Sequence, residues 1–299
     1  MKTLFGIIAL TASLSVSAQS FVLQSNGVLL SIDAEAKVYD LNQFIMPINV
    51  LARGKSWLLE KNQLITTVDA KGFVYKKTGV KGPKELKAKG GTWFMSDKGE
   101  MNVVTLDGMY YSYDKEDLFK KGQVVVSGDN YLVIKKDNVL SMVTIDTVKG
   151  FTYTIAPAVL SSLGLNLATI KEVGGNYFVD TAGTLFTVDK TGLIGNKSSM
   201  GKFSGLKVKG SNFLVDAFGG VRVVLNNGWM LMPNLPKKMG AITKSGTTHA
   251  WDADGEFFSF AESAPESEVT SSNPTVFAGV LNKLIIEPSE QIDPRTVAN

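Results

Sequence analysis

At 299 residues, with 44% hydrophobic content and no cysteine, the chain can bury a real core, which sets disorder aside, and it cannot form a disulfide-knotted fold. Its formal charge of +3 rests on 28 lysines and only three arginines, Arg53, Arg222 and Arg295. Bidentate recognition of phosphates and bases favours arginine, so nucleic acid is not expected as a partner.

The chain opens on MKTLFGIIALTASLSVSAQS. Lys2, the apolar run from Leu4 to Leu10 and the small-residue pattern Val16-Ser17-Ala18 match a secretory signal over residues 1–18, cleaved after Ala18. The run is too short to span a bilayer, which takes roughly 20 apolar residues. No twin arginine precedes it and no cysteine follows it, so neither folded export nor a lipid anchor is indicated. The expected product is a soluble chain of net charge +2, without Lys2, in the periplasm or outside the cell.

From Ser20 onward one unit recurs. Its copies open on a large residue at Phe21, Trp57, Trp93, Tyr131, Tyr177, Phe213 and His249, at intervals of 36, 36, 38, 46, 36 and 36 residues. Six residues after that anchor stands Gly27, Gly99, Gly183, Gly219 or Gly255, where a hairpin needs positive φ; the other two copies place Asn62 or Asn138 nearby. A second turn follows as VDAKG, LDG, VDKTG or LNNG, and an apolar segment such as INVLARG or LKVKG leads into each anchor.

Four strands every 36 to 46 residues predict a β-propeller of seven four-stranded antiparallel blades over residues 19–288, with a tail over 289–299. An open β-sandwich or two stacked β domains is the competing architecture. The first copy lacks a leading strand and the C-terminus has a spare one, VLNKLIIEP at 280–288. It is expected to join the N-terminal three strands in one composite blade, closing the ring and removing two exposed sheet edges.

Function is sought where the chain departs from the repeat. The 46-residue interval holds IAPAVLSSLGLNLATIK, residues 155–171, a short helical excursion or a loop packed on its neighbour. AESAPESEVTSSNP, residues 261–274, reads as a solvated connection. The lone histidine, His249, holds an aromatic's register and is assigned to packing. DADGE, Asp252 to Glu256, resembles the start of a calcium loop but lacks its terminal glutamate, and is read as a hairpin turn.

The copies YFVDTAGTLFTVDKTG, WLLEKNQLITTVDAKG and FVLQSNGVLLSIDAEA resemble PQQ-type propeller repeats over nearly all of residues 20–260. Quinoprotein members of that family end the repeat in tryptophan after the second glycine and bind a quinone with calcium, often beside a vicinal disulfide. Here Tyr75 and Tyr111 stand at the corresponding positions and cysteine is absent, so no cofactor is expected. A non-enzymatic relative, the propeller subunit of the outer-membrane barrel-assembly machinery, implies a scaffold in the bacterial envelope.

The expected function is an exported module that binds or scaffolds a protein partner without catalysis. Its candidate contacts are Arg222, Trp229 and Trp251, since arginine and tryptophan dominate binding energy where exposed, with Leu160 and Leu163 in the excursion. The alternative is a metal-dependent hydrolase or lyase, of the lactonase or glycan-lyase kind. It would need Asp180, Asp216 and Asp252, each three residues after its anchor, to converge at the central mouth.

Overall fold

A computed structural model describes residues 20–23, 29–32, 38–41, 47–70, 73–113, 116–203, 205–232, 241–245, 249–254, 257–259, 271–272 and 287–288. The expected signal peptide and tail lie outside them. Among the described residues no helix is long and apolar enough to cross a membrane.

The described strands form four-stranded sheets in chain order. The first holds Ser20–Leu23, Leu29–Ile32 and Val38–Asp40, joined by Glu287–Pro288. The second is Val50–Arg53, Trp57–Glu60, Leu64–Val68 and Val74–Lys81; the third Leu86–Lys89, Trp93–Ser96, Met101–Val104 and Tyr110–Tyr113. The fourth is Gln123–Ser127, Tyr131–Lys136, Val139–Ile145 and Thr152–Thr154; the fifth Ile170–Val173, Tyr177–Asp180, Leu185–Val188 and Ile194–Asn196. The sixth is Leu206–Lys209, Phe213–Asp216, Val221–Val224 and Met230–Leu231; the seventh Ile242–Ser245, His249–Asp252, Phe257–Ser259 and Ser271–Ser272. Within the second to seventh sheets the four are called leading, anchor, return and fourth strands, and all neighbours pair antiparallel.

Period-2 alternation lets each anchor strand serve two interfaces. Trp93 and Met95 pack toward the fourth sheet, onto Leu132, Ile134, Val143 and Ile145, while Phe94 between them packs back on Trp57 and Leu59. The same exchange recurs down the chain: Phe178 packs on Tyr131 and Val133, while Tyr177 and Val179 pack on Leu214 and Val224. Phe213 and Val215 reach Ala250 and Phe258, and Phe21 reaches Leu58 and Val68. Consecutive sheets therefore stack face to face, in repeats of the propeller type. Both faces are covered, which is why the anchor strands are mostly apolar instead of alternating with polar residues.

The anchors also carry hydrogen bonds. Trp57 Nε1 donates to Gly90 O at 3.3 Å and Trp93 Nε1 to Gly128 O at 3.1 Å. Tyr131 donates its hydroxyl to Gly174 O at 3.0 Å and Tyr177 O at 2.7 Å, and Tyr177 does the same to Gly210 O and Phe213 O. Each acceptor lies at the start of the next sheet's anchor segment, so the aromatic polar atom is a fastener between repeats. Burial holds the Tyr131 and Tyr177 phenols well above their usual value, and both remain protonated donors at neutral pH.

The hairpin turns obey the expected chemistry with one correction. Gly99, Gly183 and Gly219 take positive φ, and so does Asn138, but in the second sheet the left-handed residue is Gln63 (φ 72°), not Asn62. Asn62 instead accepts the Leu64 amide through Oδ1 at 3.0 Å, an Asx-type cap that fixes the turn one residue earlier.

At the C-terminus one expectation changes and another holds in part. Ser271–Ser272, inside the stretch read as a solvated connection, pairs with Phe257–Phe258 as the seventh sheet's fourth strand. Of the spare strand at 280–288, the described part, Glu287–Pro288, pairs in parallel with Tyr39 and Asp40. It therefore joins the N-terminal sheet on the edge beyond Val38–Asp40, and not the edge ahead of Ser20–Leu23 where the repeat lacks a strand.

Glu60 gives the fold a pH dependence. It is buried at the end of an anchor strand, and desolvation raises its pKa above the ordinary carboxylate value against the smaller opposing pulls of Lys76 and the Asn62 amide. Over the window from the unfolded value up to the raised folded value the native state holds more protons, so stability falls as pH rises. Glu60→Gln is expected to abolish that decline, measured as the melting temperature between pH 4 and 7 against the unaltered chain.

Candidate functional site

In the second to seventh sheets, antiparallel pairing puts the leading-to-anchor and return-to-fourth connections at one end. That end is held by two ladders of backbone hydrogen bonds. In one, Lys55 donates to Gly91, Thr92 to Asp129, Asp129 to Gly175 and Gly175 to Ser211. In the other, Ala70 donates to Leu106, Leu106 to Thr147, Thr147 to Lys190 and Lys190 to Asn226. Direct amide-to-carbonyl contact sets successive turns about 5 Å apart, the spacing of hydrogen-bonded strands.

Between the ladders is a depression whose lining includes Lys55, Asp129, Asn130, Asn176, Lys190 and Ser211. Asn130 Nδ2 donates to Val188 O (3.1 Å) and Asp189 O (2.6 Å) of the next sheet, and Asn176 Nδ2 to Val224 O (3.1 Å) and Leu225 O (3.2 Å). Asp129 Oδ2 accepts the Ser211 hydroxyl from two sheets away at 2.5 Å. These contacts join repeats. Their sequence signal is the small polar residue before each anchor, Ser56, Thr92, Asn130, Asn176 and Asn212, which reading the copies by their large residues passed over.

The same end presents a row of large apolar side chains. In the third to sixth sheets the residue after the second-turn glycine immediately precedes the fourth strand: Met109 after Gly108, Phe151 after Gly150, Leu193 after Gly192 and Trp229 after Gly228. The four are 48%, 48%, 70% and 65% exposed. Their turns are tightly specified, because those glycines all take positive φ and Asp146 and Asp189 cap their own turn amides. Rigid turns thus hold apolar side chains in water on consecutive sheets. The row is the candidate contact surface.

Of the sequence-derived contacts, Trp229 alone is placed in this row. Arg222 is on the sixth sheet's return strand near the opposite end, half-buried, 3.5 Å from Asp216 Oδ2 and 4.9 Å above the Phe203 ring. Leu160, in the short helix Pro157–Ser162, is buried against the Tyr131–Phe178 cluster and is not a surface contact. Leu163 is part-buried on the same cluster, because the excursion packs its apolar spacing down onto the neighbouring sheets. Trp251 and His249 have backbone in a described strand, and their side chains lie outside the described residues.

Asp180, Asp216 and Asp252 do not converge. Each accepts the backbone amides of its own hairpin turn: Thr184 N on Asp180 at 2.8 Å, Phe218 N and Gly220 N on Asp216, and Asp254 N on Asp252. No group of three potential ligands among His, Cys, Asp and Glu gathers among the described residues. The shared register of the three acids is a turn signal.

No family model and no curated protein matches the chain. Among solved structures it is similar to virginiamycin B lyase from Staphylococcus aureus, at 14% identity over 84% of this chain and 94% of that one, TM-score 0.33. It is also similar to PorZ, a surface component of the type-IX secretion system of Porphyromonas gingivalis, at 14% identity over 86% of this chain and 38% of that one, TM-score 0.34. The computationally designed Ika8 protein matches at 17% identity, 86% and 89% coverage and TM-score 0.23. At these TM-scores the likenesses carry no functional argument, and the site rests on its own geometry.

Proposed function

We propose that the chain is an exported, seven-bladed β-propeller that binds or scaffolds a protein partner in the periplasm or outside the cell, without a cofactor. The single observation that carries the binding reading is the row Met109, Phe151, Leu193 and Trp229. A monomer that kept these side chains in water for no purpose would carry an aggregation liability, whereas a partner surface would bury them. Closure of the ring is supported by Leu30: it alternates with Leu29, which faces the second sheet, and is itself only 5% exposed, so both faces of the first sheet are covered.

The test is affinity capture from a bacterial envelope fraction, with the mature chain and a Leu193→Ser/Trp229→Ser variant side by side. A stoichiometric protein partner retained by the first and lost by the second, at unchanged melting temperature, is the expected result. Equal capture by both would remove the row from the proposal, and release of a small molecule in place of a protein would overturn the scaffold reading.

A further inference from the structure

Away from the apolar row, we infer that the leading strands form a cationic wall that seats a small multivalent anion of the phosphate or sulfate type, held chiefly by Lys171 and Lys207. The wall is built on one repeated irregularity. In the second to seventh sheets the pairing of leading and anchor strands slips at the same place, leaving over Leu51, Lys87, Val125, Lys171, Lys207 and Thr243 in turn. Such a bulge bends an edge strand and re-aims the extra side chain. Leu51 and Val125 are 44% and 46% exposed there, although apolar, and Lys171 and Lys207 are exposed as well. The leading strands also crowd together: the third sheet's lies against the fourth's and the sixth's against the seventh's, while no two fourth strands among the described residues pack to that extent. The bulge residues therefore stand on the concave side of the stack.

The charge on this wall is one-sided. Arg53, Lys89 and Lys209 stand two residues beyond the bulge, four before their anchors, and all three are exposed. The described acids on the same segments are Glu172, which is 3.1 Å from Lys209, Glu85 just ahead of Leu86–Lys89, and Asp129 at the ladder end, which holds the Ser211 hydroxyl. The other cations with partners rest on neutral groups: Arg53 donates to Phe21 O at 2.9 Å, Lys89 to Arg53 O at 3.2 Å and Lys87 to Phe119 O at 2.9 Å. A carbonyl positions a cation but leaves its charge standing. Lys171 and Lys207, at one register on consecutive sheets, have no carboxylate partner among the described residues. Like charges so placed repel, and an oxyanion with several charges lying against them relieves the repulsion. Lysine suits such a ligand, because its ammonium meets an oxyanion as a point charge without the fixed fork of arginine. Asp129 reaches across Gly175 to Ser211, two sheets on, and narrows the wall at the ladder end, which favours a small anion over a threaded polymer.

The probe is inorganic tripolyphosphate, titrated into the intact mature chain by calorimetry in 50 mM NaCl. One saturable site is expected, weakened about tenfold by Lys171→Gln/Lys207→Gln and by 500 mM NaCl, and tightened by Val125→Lys, which adds a cation at the same register one sheet earlier. Lys81→Gln/Lys149→Gln removes the same charge from a fourth strand and a second turn, and should leave the affinity within about twofold. No saturable binding, or equal weakening by the two double variants, would overturn the inference. So would heparin that binds through Lys171 and Lys207 when tripolyphosphate does not, since the wall would then read a polymer. If the glutamine pair also lowers the melting temperature, Val125→Lys decides, and unchanged affinity there would overturn the seat. Capture of a protein partner by the apolar row is independent of every one of these results.

Discussion

Gly90→Ala is expected to destabilise the chain by about 3 kcal/mol, although it adds one methyl group. Gly90 lies three residues before an anchor, and a Cβ there would fall 2.1 Å from Trp93 Nε1 and 2.2 Å from Gly128 O. Those two atoms are the donor and acceptor of a 3.1 Å hydrogen bond between the third and fourth sheets. The methyl would stand inside that bond, and neither partner can yield cheaply: the indole is fully buried and the carbonyl belongs to a tightly packed turn beside the backbone ladder. Overpacking of about 1–3 kcal/mol then adds to a lost buried hydrogen bond worth about 1 kcal/mol. Gly79→Ala is the control, since nothing lies within 4 Å of its added Cβ, and it is expected within about 0.5 kcal/mol of the unaltered chain. Urea unfolding of both variants measures the difference; equal midpoints would mean that the indole is not pressed on this glycine.

The sheet repeat was legible because hairpin geometry sets its period: an aromatic opens each copy, and glycine or asparagine marks each turn. What the copies could not show one at a time is contact between them. Gly54, Gly90, Gly128, Gly174 and Gly210 all precede an anchor by three residues. For the first four, the reason appears only when the ring beside the glycine, Trp57, Trp93, Tyr131 or Tyr177, is seen to bond the next copy's carbonyl. The excursion at 155–171 read correctly as apolar with helical spacing, yet amphipathic spacing does not say whether Leu160 faces a partner or its own core. The contact row was missed for a different reason. Residue type singles out Arg222, Trp229 and Trp251, whereas the row is defined by register, as the residue that follows the second-turn glycine in the third to sixth sheets. Read by register, Met109, Phe151 and Leu193 stand with Trp229 in the bare sequence, and Arg222 falls out because its strand position is near the other end of the sheet.

The same distinction of register separates the tryptophans. Trp93→Ala is expected to cost about 4 kcal/mol, the range for deleting a buried large aromatic, and to lower the melting temperature by about 10 °C. The indole is fully buried between sheets, in one cluster with Met101, Phe119 and Ile134, and its Nε1 supplies a side-chain hydrogen bond to the fourth sheet. Trp93→Phe keeps most of the apolar burial but leaves Gly128 O without that donor, so about 1–2 kcal/mol is expected. Trp229→Ala removes the same side chain from a position 65% exposed, heading an edge strand, and should move stability by no more than about 0.5 kcal/mol. Thermal and urea unfolding rank the three. Damage that falls from Trp93→Ala through Trp93→Phe to Trp229→Ala follows from interfaces closed by aromatic fasteners, while a Trp229 variant as damaging as the first would mean that the row belongs to the core and is not free to receive a partner.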